Sequence, residues 1–363
     1  MLRVAASLKV IPGTKLDYND VLIVPKKTTV SSRSNVILNR TFKFKYSNQE
    51  WTGIPIISSN MDTVTNIDTF NILKKKNLMT CFPKYLNNEW LKGHMPLELT
   101  DVNWYMLSCG TSKNDHDILM QLINKFDICL GVRPQFICID VANGYMTELI
   151  SVCEKIRYKL PNVTLMAGNV VTPEGVNELV SNGLVDIVKI GIGSGLCCTT
   201  RKITGVGYPQ LSAVLESSEK AHELGAYIVS DGGVTTVGDI SKAFCAGGDF
   251  VMLGSMLAGH DISPGEAIIE NGQYFKLVYG MSSTVANNKY AGGLGWYKAA
   301  EGKVVKMPFK GSMTDTLQRI EGGIRSTCSY IGAEKIEDMN KNGTFIIVNR
   351  QYNNALDAFV IDE

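Results

Sequence analysis

The sequence has no excess of charge of either sign and no long apolar run. Its 36 Lys and Arg residues balance 35 Asp and Glu residues, for a net charge of +1. Without a basic stripe or an acidic tail, nucleic acid and membrane surfaces are not expected partners. No apolar stretch approaches the ~20 residues of a membrane helix. The opening segment, MLRVAASLKVIPG, lacks the apolar core and cleavage site of a signal peptide.

Metal-ligand and disulfide patterns are absent as well. The four histidines have no H-E-x-x-H or similar spacing, so each is expected at the surface or in a satisfied structural role. The nine cysteines are scattered and include no C-x-x-C. This argues against a disulfide framework and a structural zinc, and it predicts a reducing, cytosolic compartment.

Between residues 50 and 255, short apolar runs alternate with longer segments of helical period. Most runs are nearly continuous, which is typical of strands buried on both faces of a parallel sheet. Eight strand–helix units favour an α/β fold, a (β/α)8 TIM barrel. A doubly wound sheet stays open on this pattern alone. The predicted strands are 54–58, 78–82, 104–108, 135–140, 163–167, 186–190, 226–230 and 249–253.

Two segments lie outside the repeat. Residues 1–50 form an N-terminal extension, and an excursion rich in Gly and polar residues, at about 265–320, follows the eighth strand. We expect a helix near 324–340 to close the barrel and a terminal strand at 345–348. No linker rich in Pro, Ser or charge divides the chain, so residues 1–363 are predicted to form one barrel domain.

Small or reactive residues follow nearly every predicted strand, and the chemistry of a TIM barrel belongs at those carboxyl ends. Asp62, Asp140 and Asp231 are carboxylates in such positions, and Asp140 is suited to bind a ribose diol. Glycines after the seventh and eighth strands allow backbone N–H groups to approach a phosphate, although Asp231-Gly232-Gly233 alone is equally compatible with an ordinary turn.

The segment after the sixth strand contains the strongest reactive candidate. Leu196 stands where a dinucleotide-binding motif needs its third glycine, and no helix is predicted before Tyr208, so a long active-site loop is favoured. Cys197 and Cys198 lie in this loop close to basic residues, which favour a thiolate. The other seven cysteines are assigned to packing. By itself, Glu301 in the excursion is expected to be a solvated surface charge.

These residues stand in motifs that resemble the family of IMP dehydrogenase and GMP reductase. The motifs are GIGSGLCCTTRKITGVGYPQ, NMDTV, DVANGY, AGNVVT, SDGG, VMLGSM and YGMSS, and they occur in order over about residues 14–350. The Cys-Thr-Thr-Arg loop is similar to the reductase branch, and the spacing leaves no room for the CBS module of most dehydrogenases. The resemblance implies reductive deamination of GMP to IMP and ammonia, with NADPH as hydride donor.

The resemblance also implies residue roles. Cys198 is the nucleophile that forms a covalent thioimidate, and Thr200 and Glu301 protonate the departing amine. A potassium ion is bound by carbonyls of the loop, at Gly193, Gly195, Cys198 and Arg201. The family forms tetramers, so a homotetramer is expected.

The resemblance further implies two binding sets. The nucleotide set is Asp231, Gly232, Gly233, Gly254, Ser255, Gly280, Met281, Ser282, Lys298, Ala299, Ala300, Glu301 and Gly302. The NADPH set is Ser32, Arg33, Lys84, Asp140, Val141, Ala142, Ile192, Gly193, Met281, Tyr297, Lys298, Ser326, Thr327, Cys328 and Ser329.

This sequence departs from the family pattern at three points. Lys298 stands where the reductases have Arg, Pro83 replaces a His before Lys84, and Ser194 replaces a common Pro. An IMP dehydrogenase without its CBS module and a non-catalytic nucleotide-binding barrel stay as alternatives. A phosphate-binding isomerase or lyase barrel is a third, although it has no use for the Cys-Thr-Thr-Arg loop.

Overall fold

The computed structural model describes residues 10–348, so all but the last four residues of MLRVAASLKVIPG lie outside the described range. The strands of this range are, in chain order, β1 (Val21–Ile23), β2 (Arg40–Lys43), β3 (Glu50–Gly53), β4 (Ile56–Ser58), β5 (Met79–Phe82), β6 (Tyr105–Cys109), β7 (Phe136–Asp140), β8 (Thr164–Val170), β9 (Ile187–Ile190), β10 (Tyr227–Asp231), β11 (Phe250–Leu253), β12 (Ala267–Glu270), β13 (Gln273–Tyr279), β14 (Val304–Pro308) and β15 (Phe345–Ile347).

The α-helices alternate with the strands through most of this range. They are α1 (Ile67–Lys75), α2 (Tyr85–Lys92), α3 (Lys113–Leu130), α4 (Thr147–Lys159), α5 (Pro173–Ser181), α6 (Thr200–Ile203), α7 (Gln210–Glu223), α8 (Val237–Cys245), α9 (Thr284–Tyr290), α10 (Met313–Ile331) and α11 (Met339–Asn342). Short 3-10 turns lie at Tyr18–Asp20, Arg33–Asn35, Leu97–Thr100, Val102–Trp104 and Ile336–Asp338.

Strands β4 to β11 pair in parallel and close into a barrel, in which β11 pairs with β4. The predicted TIM barrel is confirmed, because a doubly wound sheet would leave two unpaired edges. Each of the eight predicted runs contains its strand or overlaps it, with ends that differ by a few residues. Nearly every residue of these strands is buried, as continuous apolar runs require when helices cover the outside.

The N-terminal extension contains a hairpin that closes the lower end of the barrel. Strands β2 and β3 pair antiparallel. Phe42 of β2, Trp51 of β3 and Phe44 of the segment between them pack with residues from inside the barrel. Phe250 of β11 is one of these interior residues. The hairpin therefore fills the end of the barrel opposite the carboxyl ends of the strands.

The excursion is more regular than predicted. Strands β12, β13 and β14 form an antiparallel sheet, and α9 lies between β13 and β14. The helix predicted at 324–340 is wrong in its bounds, since α10 covers Met313–Ile331. Ser312 caps its first turn, and Gly332 ends it in the left-handed conformation. The predicted terminal strand is confirmed as β15, which pairs antiparallel with β1.

Two smaller predictions need correction. Cys129 is exposed, so it does not pack in the core as predicted, whereas Cys81, Cys109, Cys138, Cys153, Cys245 and Cys328 do. His116 has a buried Nε2 without a hydrogen-bond partner in the described part of the chain, and so is not fully satisfied. All nine cysteines are free thiols. Among residues 10–348, no helix is long and apolar enough to cross a membrane.

Candidate active site

A cavity of about 660 Å³ opens at the carboxyl ends of the barrel strands. All eight barrel strands contribute residues at or just beyond their ends. These residues include Ser59, Lys84, Cys109, Asp140, Asn169, Gly191, Asp231 and Gly254. Residues of the loop after β9 and of the excursion complete the wall. The cavity therefore occupies the position that the sequence predicts for the chemistry.

Cys198, Thr200 and Glu301 form a connected chain at this wall. The Cys198 thiol donates to Thr200 Oγ1 over 3.2 Å, and the Thr200 hydroxyl donates to Glu301 Oε2 over 2.7 Å. All three residues line the cavity. Glu301 is therefore not the solvated surface charge that its sequence context suggests, and the arrangement can move a proton between a thiol and a carboxylate.

Backbone hydrogen bonds join the loop that contains Cys198 and Thr200 to the segment of the excursion that contains Glu301. The Thr199 amide donates to the Glu301 carbonyl over 2.9 Å, and the Lys303 amide donates to the Cys197 carbonyl over the same distance. Cys198 and Gly302 also form an antiparallel bridge. Thr200 begins the short helix α6, which contradicts the prediction of no helix before Tyr208. The excursion is thereby docked against the loop, and Glu301 reaches a residue 101 positions earlier.

The adjacent cysteines differ in surroundings. Cys197 is 7% exposed, and burial raises the pKa of its thiol. Cys198 is half-buried at the cavity wall and hydrogen-bonded to Thr200. A thiol that is buried in an apolar environment resists ionisation, so Cys198 is better placed than Cys197 to act as a nucleophile.

Glycines and an arginine fix the loop after β9. Gly191 and Gly193 have φ values of +149° and +81°. A Cβ at Gly191 would lie 2.0 Å from the Asp231 carbonyl oxygen, and one at Gly193 would lie 2.6 Å from Cγ of Arg201. The Arg201 guanidinium donates to Asp17 over 3.1 Å and also to the Tyr208 carbonyl. Arg201 therefore supports the loop through its side chain.

A charged cluster lies between β7, β9 and β10. Lys189 Nζ donates to Asp140 Oδ1 over 3.0 Å, to Asp231 Oδ2 over 2.5 Å and to Asn169 Oδ1 over 3.1 Å. Burial opposes ionisation of Asp140, but Lys189 and an Asn60 hydrogen bond outweigh it, so the pKa of Asp140 is below its ordinary value. Sequence reasoning missed Lys189, although a charged residue inside the otherwise apolar run Ile-Val-Lys-Ile was the available signal.

Asp62 serves a different purpose from the other two strand-end carboxylates. Its Oδ2 accepts hydrogen bonds from Tyr279, Tyr290 and Lys289. The Tyr290 ring stacks on Tyr85, with centroids 3.5 Å apart. Asp62 therefore ties the loop after β4 to the excursion, and its side chain is only 8% exposed.

The structure brings part of each predicted binding set into the cavity. The predicted nucleotide residues at its wall are Asp231, Gly232, Gly233, Gly254, Ser255, Gly280, Met281, Ser282 and Glu301, and the predicted cofactor residues there are Lys84, Asp140, Val141, Ala142, Ile192, Gly193 and Met281. Lys84 pairs with Asp115 over 3.2 Å. Five predicted residues within four positions of Glu301 are not part of the wall, namely Tyr297, Lys298, Ala299, Ala300 and Gly302.

Other predicted cofactor residues lie in a separate region. The turn containing Arg33 packs against α10, which also contains Ser326, Thr327 and Ser329. Ser32 caps that turn, and none of these residues lines the cavity. Cys328 is fully buried, so its side chain packs in the core rather than facing a ligand. Thr327 donates to Ser241 Oγ over 2.9 Å.

Comparisons with known proteins agree with this architecture. The sequence profile of the IMP dehydrogenase/GMP reductase domain matches residues 108–353. The chain is 48% identical over 337 residues to GMP reductase 2 of Bos taurus, covering 93% of this chain and 95% of that protein. It is 47% identical over 347 residues to a GMP reductase of Yersinia pestis, covering 95% and 98%. The chain therefore belongs to the IMP dehydrogenase/GMP reductase family.

Proposed function

We propose that this protein is a GMP reductase that converts GMP to IMP and ammonia with NADPH as the reductant. The observation that supports this most directly is the hydrogen-bonded chain from Cys198 through Thr200 to Glu301. It combines a nucleophile with a proton-transfer group at the wall of a nucleotide-sized cavity. The similarity to reductases over nearly the full chain supports the same reaction.

The first half of the reaction is an exchange of sulfur for nitrogen at purine C2. The Cys198 thiol loses its proton along Thr200 to Glu301, and the sulfur attacks C2. The same proton then returns to the exocyclic amine, because an amine leaves readily only when it is protonated. Ammonia departs, and a thioimidate joins C2 to Cys198.

The second half replaces sulfur with hydrogen. NADPH supplies a hydride to C2 when bound. The C2–S bond then breaks, the electron pair returns to sulfur, and IMP is released while Cys198 is reprotonated from solvent. Covalent attachment separates loss of the amine from reduction, so each step needs only a small change at C2.

Asp231 and the glycines around it are proposed to hold the nucleotide. Asp231 Oδ2 is occupied by Lys189 and Asn169, while Oδ1 takes no hydrogen bond from the residues that the structure describes. Oδ1 is thus available to accept from a ribose hydroxyl. The amides following β10 and β11, at Gly232, Gly233 and Gly254, suit the phosphate. Five more residues of the predicted nucleotide set line the same cavity, namely Ser255, Gly280, Met281, Ser282 and Glu301.

The residues at the β5 and β7 side of the cavity fit NADPH. Asp140 keeps a partly exposed carboxylate at the wall, Lys84 adds a positive charge, and Ala142 leaves room beside them. Arg33, which lies outside the cavity, is proposed to bind the 2′-phosphate by charge-assisted hydrogen bonds, together with the serines of α10. In a tetramer these outer residues serve the cavity of a neighbouring subunit.

We also propose the remaining features that the family resemblance implies. Backbone carbonyls of Gly193, Gly195 and Cys198 suit a potassium ion, because carbonyl oxygens are its ordinary ligands. The Arg201 side chain is committed to Asp17 and Tyr208, so Arg201 contributes only through its backbone. We further propose a cytosolic homotetramer with a single barrel domain per chain and no CBS module.

One assay tests the proposed function. The purified protein is given GMP with NADPH, and separately IMP with NAD⁺, and the absorbance of the reduced cofactor is followed. We expect loss of NADPH with GMP, formation of IMP and ammonia in equal amounts, and no steady turnover of IMP with NAD⁺. Turnover only of IMP would indicate a dehydrogenase without a CBS module, and binding of GMP without either reaction would indicate a non-catalytic barrel.

A further inference from the structure

Lys189 occupies an unusual place for a lysine. It lies on β9 among apolar neighbours, with a side chain that is 5% exposed, yet its ammonium group reaches the floor of the cavity. A buried ammonium group is costly unless it is paired and hydrogen-bonded. Its three N–H donors are matched by three acceptors, on Asp140, Asp231 and Asn169.

The two carboxylates paired with Lys189 face different parts of the cavity. Asp140 ends β7, on the side of Lys84, whereas Asp231 ends β10, next to the Gly232 turn. Under the proposed function, on which this inference rests, the first carboxylate contacts the cofactor and the second contacts the substrate ribose. Among residues 10–348, Lys189 is thus the one side chain that forms hydrogen bonds with both carboxylates.

We infer that Lys189 is a positioning residue that fixes the distance between the substrate site and the cofactor site. The charge balance supports this role. Two carboxylates share a single ammonium group, so neither can move towards its ligand without changing its distance to Lys189. Asn60 and Asn169 complete the arrangement by donating to Asp140 Oδ2 and Asp231 Oδ2 over 2.8 and 2.9 Å. The reacting carbon and the hydride donor are brought together by groups whose separation Lys189 fixes.

The test begins with Lys189→Met, which keeps the length of the side chain but removes its charge. Asp140 and Asp231 then repel each other without the ammonium group that both contact in the wild type. We expect GMP affinity, measured by calorimetry without cofactor, to fall by about tenfold or more, as loss of a hydrogen bond to a charged group predicts. The KM for NADPH should rise and kcat should fall. Lys43→Met, at an exposed lysine of β2, is the matched control and should change none of these values.

Charge-balanced double variants separate positioning from a purely structural role. Lys189→Met with Asp140→Asn should recover most of the lost GMP affinity but not NADPH affinity. Lys189→Met with Asp231→Asn should show the opposite pattern. If Lys189 only stabilised the fold, the double variants would bind both ligands no better than the single variant. Wild-type GMP affinity and NADPH KM in Lys189→Met would also overturn the inference.

Two further outcomes are decisive. If Lys189→Met does not fold, a folded Lys189→Met/Asp140→Asn variant that binds GMP supports the inference, and an unfolded one contradicts it. The GMP and NADPH assay is carried out on the wild type before the variants are compared. Inactive wild type refutes the proposed reductase, whereas active wild type with unaffected Lys189 variants refutes only the positioning role.

Discussion

The Phe42 ring stacks on the Phe250 ring with centroids 4.2 Å apart, and this contact joins the N-terminal hairpin to the last barrel strand. Both side chains are almost completely buried. The Arg40 guanidinium lies over the Phe42 ring, 4.4 Å from its centroid. It also pairs with Asp249 over 2.9 Å. The hairpin thus stabilises the barrel at the end opposite the cavity.

This contact predicts a stability effect without a catalytic one. Phe42→Ala should lower the free energy of unfolding by about 3–5 kcal/mol, the usual cost of removing a buried aromatic ring. The kcat of the folded variant should match the wild type, because the hairpin does not reach the cavity. Ile128→Ala, at a side chain that is 84% exposed, is the control and should change stability by no more than about 0.5 kcal/mol. Urea unfolding measures the stability of both variants. Equal losses of stability in Phe42→Ala and Ile128→Ala would show that the Phe42–Phe250 contact does not stabilise the barrel.

A pH dependence of stability follows from His222. Its Nε2 lies 2.8 Å from Asp249 Oδ2, and this hydrogen bond raises the pKa of His222 in the folded state against the opposing effect of burial. A raised pKa means that the contribution is complete below the unfolded value of about 6.5 and is lost as the pH rises through the folded value.

The difference in the free energy of unfolding between wild type and His222→Gln should therefore be larger near pH 5.5, about a unit below the unfolded value, than near pH 9. Denaturant titrations at the two pH values measure it. His94→Gln, at an exposed histidine, controls for general effects of removing an imidazole. A gap that grows towards alkaline pH would show that the His222–Asp249 pair does not act through the charged imidazole.

The barrel was predictable because most of its strands are nearly continuous apolar runs, and that signal is local. The hairpin and the β12–β14 sheet were not predicted. Ala267, Ile269 and Glu270 of β12 are mixed in character and largely exposed, so no period-2 alternation distinguishes them from a loop. Helix α10 was placed too late because Gly322 and Gly323 interrupt its pattern. A Cβ on Gly323 would lie 2.3 Å from Val237 Cγ1, so close packing against α8 accounts for that glycine.

The candidate site also contains residues that could be predicted from the sequence and residues that could not. Cys198, Asp140 and Asp231 were accessible to sequence reasoning because each follows a strand or lies in a strand-end loop. Glu301 was not, because its hydrogen bond to Thr200 spans 101 residues. Only family resemblance suggested its role. Lys189 was missed because a charge inside a buried strand is interpretable only when its partners on neighbouring strands are known.

The two adjacent cysteines should respond differently to substitution. Cys198→Ala should abolish turnover while leaving GMP binding largely intact, since the sulfur forms the covalent bond. Cys197→Ala should retain most activity, because the Cys197 thiol is buried and its pKa is raised. Mass spectrometry of an acid-quenched reaction should locate the nucleotide adduct on Cys198. An adduct on Cys197 would require the assignment to be reversed.

Arg33 should contribute to cofactor choice. It is exposed at the turn that packs against α10, and a guanidinium binds a phosphate by charge-assisted hydrogen bonds. The wild type should prefer NADPH over NADH in kcat/KM. Arg33→Ala should reduce this ratio by about tenfold or more, mainly through a higher KM for NADPH. Lys43→Ala serves as the control for loss of a surface charge. Equal use of both cofactors by the wild type would reject this role.

Glu301 should act in loss of the amine rather than in hydride transfer. Glu301→Gln keeps the hydrogen bond from Thr200 but cannot accept the Cys198 proton and return it to the amine. Reduction of GMP should slow by about 10²-fold or more, as for loss of a general acid–base catalyst. Thr200→Val, which breaks the same chain at its middle, should slow it similarly. Glu270→Gln, at an exposed carboxylate of β12, is the matched control and should leave the rate unchanged.

The reverse reaction isolates the hydride step, which needs no protonated amine. With IMP and NADP⁺ but no ammonia, the enzyme can form the thioimidate and one equivalent of NADPH, seen as a single burst of absorbance. The rate of this burst in Glu301→Gln should fall much less than GMP turnover does. The carboxylate has no leaving group to protonate in that direction, and Cys198 exchanges its proton with solvent in the hydride half of the reaction. If the burst and GMP turnover slow by the same factor, Glu301 serves both steps or nucleotide binding, and the specific acid role is wrong.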